Sequence, residues 1–109
     1  MTSLESAVAR FFMKYTSAGI VLPDGWYGRP GDSFFELRNV RADAASFLLE
    51  LEGGREIGAS QAVVEKDRFD GRPALRLRFP SGFRWVPHDG ASTEATYGPD
   101  SQILLVAWR

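Results

Sequence analysis

The chain has 109 residues, 44% of them hydrophobic and 25% charged, which is the composition of one globular domain over residues 1–109. A formal net charge of −1 supplies no global field to gather nucleic acid, and the absence of cysteine excludes a disulfide framework and any thiolate metal site. The longest apolar run, Ile103 to Trp108, is too short to cross a bilayer, and the start, with Glu5 early and no unbroken apolar core behind it, does not read as a signal peptide. A cytoplasmic protein with no cofactor and no membrane partner is expected.

The first element reads as a helix within residues 1–18. Leu4, Ala7, Val8, Phe11, Phe12 and Tyr15 fall on one helical face. Thr2 and Glu5 have the spacing of a capping box, and Gly19 stands where a left-handed stop is expected. An aromatic stripe of this kind reads first as a core-facing surface, with a partner-binding helix as the alternative.

Residues 19–33 read as a junction. Leu22 to Asp32 gathers Pro23, Asp24, Gly25, Gly28, Pro30 and Gly31 around the adjacent aromatics Trp26 and Tyr27. Glycines every three residues match neither a dinucleotide fingerprint nor a Walker sequence, so successive tight turns are the economical reading. In an extended backbone Trp26 and Tyr27 face opposite ways. One plugs the core and the other stays outside; the position between helix and sheet makes Trp26 the expected plug. Tyr27, Arg29 and Asp32 are then the candidate contact residues, with Arg29 and Asp32 free to pair.

Residues 34–109 read as sheet. Phe34 to Val40 is a first strand, and Phe47, Leu49 and Leu51 alternate with Leu48, Glu50 and Glu52 before the turn at Gly53-Gly54. Arg55 to Gly58 starts a return strand, Gln61 to Lys66 is another, and Asp70-Gly71 is a turn. Ala74 to Val86 reads as a hairpin about Ser81, with Phe79 facing Phe83, Leu77 facing Trp85, and Arg78 facing Arg84. Ser92 to Tyr97 suggests an edge strand. The continuously apolar Ile103 to Trp108 reads as a central strand covered on both faces. The expected fold is α+β: one N-terminal helix on a curved, mostly antiparallel sheet of about five to seven strands, bending toward a barrel.

Four arginines, Arg72, Arg76, Arg78 and Arg84, and no acid lie between Arg72 and Val86. Opposed cations need water, a carboxylate from elsewhere or an anionic partner; Glu50, Glu52 and Glu65 are the internal candidates. An arginine face near aromatics could also take single-stranded nucleic acid, against which the acidic balance argues.

Catalytic constellations are sparse. His88, the only histidine, adjoins Asp89 and could orient Ser81 or Ser92, but adjacency in sequence is not triad geometry. Asp24 with Asp32 is a second acid–base pairing. Asp67 with Asp70 lacks the pattern of a calcium loop, and one histidine makes a zinc site improbable.

The segment Leu22-Pro23-Asp24-Gly25-Trp26-Tyr27-Gly28-Arg29-Pro30 resembles a signature, L-P-x-G-W-[FY]-G-R-P, of a group of small uncharacterised bacterial proteins, where it also follows an N-terminal helix. The block Phe47 to Gly54 resembles the strand and turn that come next in that group. Its members often continue the signature with Tyr-Asp-Asn, where this chain has Gly31-Asp32-Ser33. The resemblance implies a bacterial setting and no particular activity.

The residues favour a non-enzymatic protein-interaction or regulatory, immunity-like domain that binds another protein or itself. The alternative is a small anionic ligand held between sheet and helix, with Trp26, Tyr27 and Trp85 as walls and Arg29 or Arg84 fixing the charge. A hydrolase using His88 and Asp89 is third. The candidate contact residues are Trp26, Tyr27, Arg29, Asp32, Arg78, Arg84 and Trp85.

Overall fold

The computed structural model describes residues 4–29, 32–43, 45–87 and 94–108. Helix α1 spans Leu4–Tyr15 and buries Val8, Phe11 and Phe12 of the predicted stripe, so the stripe is core packing. Its stop is Thr16 rather than Gly19. Thr16 takes the left-handed conformation (φ 70°) and donates its N–H to the Phe12 carbonyl at 2.8 Å, which closes the last turn. Thr2 of the expected capping box lies outside the described residues; the Glu5 carboxylate accepts the Ala42 N–H at 3.1 Å and ties the helix to the sheet.

Ten strands follow among the described residues: β1 Ser17–Leu22, β2 Gly25–Trp26, β3 Phe35–Ala42, β4 Phe47–Leu51, β5 Arg55–Ala59, β6 Val63–Phe69, β7 Arg72–Phe79, β8 Phe83–Val86, β9 Ala95–Tyr97 and β10 Ser101–Ala107. All pairings are antiparallel, in the order β6-β7-β10-β1-β3-β4-β5-β8-β9, with β2 added to β1. The α+β class holds. The expected five to seven strands become ten, and the sheet is open, with β6 and β9 as edges, rather than closed toward a barrel.

The sheet has two wings hinged at β1 and β3, which pair only through Ser17–Glu36 and Ala18–Phe35. Phe79 of one wing meets Phe47 and Phe83 of the other at 6.0 and 4.7 Å between ring centroids, so the inner faces share a core. Alternation decides which residues enter it: β4 buries Phe47, Leu49 and Leu51 and leaves Leu48 and Glu50 half-buried. Strand β10 lies between β7 and β1, and Leu105 and Val106, on opposite faces, are both fully buried. The reading of a strand covered on both sides is correct there.

Two expectations fail for physical reasons. Ser17–Leu22 is strand β1, not the end of the helix and the start of a junction. Its small residues hide the pattern, and Gly19 is small because the Trp26 ring occupies the space a Cβ would need. The β7–β8 hairpin also does not form. Both edges of β7 are taken by β6 and β10, and β8 pairs with β5 and β9, so Pro80–Gly82 is a corner that carries the chain between wings. Phe79 and Phe83 still touch across that corner, but Leu77 does not face Trp85 in a ladder, nor Arg78 face Arg84.

Candidate functional site

The β1–β2 turn sends its two aromatics to opposite faces of the sheet, with the expected roles reversed. Tyr27 turns inward. Its ring lies 4.9 Å from Trp85 and 5.8 Å from Phe35, and its hydroxyl donates to the Pro87 carbonyl at 2.7 Å. The Arg55 guanidinium lies over the Phe35 ring at 4.0 Å and 5.5 Å from the Tyr27 ring centroid, while donating to the Glu52 carbonyl at 2.8 Å. Trp85 is 3% exposed and belongs to the core. Tyr27 and Trp85 therefore hold the fold together.

Trp26 turns outward. It pairs with Val21 and lies on Gly19, over the face of β1 opposite the core residues Ala18, Ile20 and Leu22. Register places Val106 of β10 beside Gly19 and Ala74 of β7 beside Val106 on this same outer face. Val106 and Ala74 are buried yet stand apart from the main core, so the outer face has a small apolar floor of its own. Around it Trp26 meets Phe34 edge-on at 5.7 Å and Phe69 at 6.0 Å, and Phe34 meets Trp108 edge-on at 5.4 Å. Arg72 completes the rim, 5.5 Å over Phe34 and donating to the Trp108 carbonyl at 3.4 Å. Trp108 remains 48% exposed, and Trp26, Phe34 and Phe69 are half-buried. The indole Nε1 of Trp26 is enclosed and meets no acceptor among the described residues.

Comparisons with protein-family profiles, curated proteins and solved structures find no match.

Arg29 and Asp32 pair at 3.6 Å as expected and stay open, at 86% and 64% side-chain exposure. Asp24 accepts the Tyr97 hydroxyl at 3.1 Å, and burial, followed by that contact, raises the Tyr97 phenol above its usual 10.0. Asp24 and Asp32 thus have separate partners. His88, Asp89 and Ser92 lie outside the described residues, and Ser81 is an exposed corner residue. Among the described residues no group of three or more His, Asp or Glu is placed to hold a metal ion.

Three of the four arginines, Arg76, Arg78 and Arg84, find their counter-charges inside the fold, while Arg72 meets the Phe34 ring and the Trp108 carbonyl. Arg78 meets Glu65 at 3.9 Å; Arg84 crosses Gly58 to meet Glu56 at 2.8 Å and reaches Glu94 at 3.6 Å. Arg76 binds Asp67 at 2.7 Å through Nε and also meets Gln102. Of the anticipated acids only Glu65 serves here; Glu50 lies 3.5 Å from the Asn39 amide and Glu52 accepts the Glu36 N–H at 2.9 Å. Exposed pairs of this kind stabilise by at most about 1 kcal/mol each.

A groove of about 610 Å³ runs between α1 and the inner face of β6 and β7. Its lining includes none of Trp26, Tyr27, Arg29, Arg84 or Trp85, the walls expected for a ligand pocket. Sequence spacing offered no sign of the outer cluster either: residues 26, 34, 69 and 108 meet only because β6, β7, β10 and β1 are neighbours in that order.

Proposed function

We propose that this chain is a small non-enzymatic interaction domain, a regulatory or immunity-like protein of the bacterial cytoplasm, that binds a protein partner or a second copy of itself. The contact surface in this reading is the outer aromatic cluster. The observation that carries it is the open edge of that cluster: Trp108, half exposed, stands edge-on to Phe34, with Arg72 across the same ring. Large aromatics beside arginine are the residues that dominate binding energy at protein interfaces. A core encloses its rings, as it does Trp85 at 3% exposure; an aromatic left as open as Trp108 on the other face is the property of a contact surface. Arg29 and Asp32, on the turn that follows Trp26, supply a polar rim.

The test uses the wild-type chain and a Trp108→Ala, Arg29→Ala double variant. Each is immobilised to capture proteins from a bacterial lysate, and each is followed by sedimentation for self-association. The expected result is a captured protein, or a dimer, whose affinity the double variant lowers by at least about tenfold, the scale of one interface hot spot. Equal capture and equal sedimentation by a variant that keeps the wild-type Tm would overturn the reading.

A further inference from the structure

We infer that the groove between α1 and the β6–β7 edge binds a single-chain amphiphile with a carboxylate head, of which a fatty acid is the simplest form. This groove shares Ala74 with the floor of the outer face but none of the rings of the outer aromatic cluster, and does not depend on them. Arg10 and Lys14 are one helical turn apart on the helix wall. Lys66 stands on the sheet wall, register partner of the buried Leu75 and on the same inner face. Three cations therefore approach one space from two sides.

Those cations lack counter-charges. Arg29, Arg76, Arg78 and Arg84 each meet a carboxylate, whereas Arg10, Lys14 and Lys66 meet none among the described residues. Lys14 lies over the Tyr15 ring, 5.4 Å from its centroid. Two acids, Glu65 and Asp67, also line the groove, but their carboxylates are engaged by Arg78 and Arg76 on the outer face.

The walls between the cations are apolar. Phe11, Tyr15, Val64 and Leu75 line the groove and continue into the main core. An inorganic anion would meet the charges and leave this surface wet; a neutral lipid would cover the surface and leave the charges unmatched. An acyl carboxylate satisfies both, with its chain along the apolar wall and its head between lysine and arginine donors. The volume of about 610 Å³ suits a ligand of that size.

The test titrates decanoate into isotope-labelled protein and follows amide shifts, with decanamide and acetate as controls. Saturable shifts in α1, β6 and β7 are expected with decanoate, and at least about tenfold weaker binding of each control, the scale set by one charged hydrogen bond or a few buried methylenes. Arg10→Glu with Lys66→Glu should weaken decanoate by a similar factor. Ala7→Leu, which keeps every charge and narrows the groove, should also weaken it, and it serves if the charge variant fails to fold. Several results overturn the proposal: no binding by the wild type, binding the variants leave unchanged, acetate equal to decanoate, or shifts that grow with protein concentration alone and so assign the groove to a second copy.

Discussion

Trp26 and Tyr27 are consecutive residues with different surroundings. The tyrosine packs between Phe35 and Trp85, and its hydroxyl reaches the Pro87 carbonyl. The tryptophan lies on a glycine, its ring partners are themselves half-buried, and its indole N–H meets no acceptor among the described residues. The same contrast separates the two faces of the sheet. The inner face is continuous between the wings and holds no buried polar or charged residue among those described. The outer face carries a small aromatic cluster at one end and arginine–carboxylate pairs elsewhere. Predominantly apolar burial makes the inner face the main source of stability; partial exposure with charge makes the outer face a place for contacts that stability does not require.

The largest effect should come from the inner face. Phe79 is fully buried and is one of the rings through which the wings meet, so Phe79→Ala should cost about 3–5 kcal/mol in denaturant unfolding. A loss under about 1 kcal/mol would mean that the wings do not share one core. Next is Gly19→Ala, which tests the outer cluster from below. The added Cβ must displace the Trp26 ring, at a cost of about 1–3 kcal/mol, and should shift tryptophan emission because that ring is lifted from its floor. If stability and emission both stay at wild-type values, Trp26 does not rest on β1 and the outer cluster is not a fixed feature.

Tyr27→Phe gives a smaller effect and a direct measure of the contrast. It keeps the ring in the core and removes one hydrogen bond to Pro87, so a loss of about 1 kcal/mol is expected with the same folded core by thermal melting. A neutral result would deny the hydroxyl a structural part and weaken the division between the two aromatics.

Local patterns in the sequence were reliable where one strand or helix decides its own burial. The stripe of α1, the alternation of Phe47, Leu49 and Leu51, and the doubly covered β10 all follow from periodicity. Long-range pairing was not legible. Ala74 to Val86 has every local mark of a hairpin, and nothing in it says that β7 is already paired on both edges. The identity of the Arg84 partners, Glu56 and Glu94, depends on the β5-β8-β9 order, and no spacing encodes that order. Even the correct inference that Trp26 and Tyr27 face apart could not say which face is the core. That depends on where β1 sits, and β1 is masked by the Gly19 that Trp26 requires.

Acid offers the finest separation, because the Asp67 contact of the outer face depends on a carboxylate and the Phe79 packing of the inner face does not. The N–H of Arg68 and then the Arg76 guanidinium hold the Asp67 carboxyl below its ordinary 3.8. Asp43 is lowered in the same sense by the N–H groups of Ala45 and Ser46. A carboxyl with a lowered folded value binds protons more weakly in the native state than in the unfolded chain. Its stabilisation is therefore complete above 3.8 and lost as the pH falls through the lowered folded value. Asp67→Asn should cost stability near neutral pH, and the gap to wild type should close as the solution is acidified below 3.8. Phe79→Ala should keep its full deficit over the same range, since the interaction it removes does not titrate. Denaturant midpoints of both variants across that range decide the matter. An Asp67→Asn deficit that does not change with pH would place the Asp67–Arg76 contact among the packing interactions and erase the distinction between the faces.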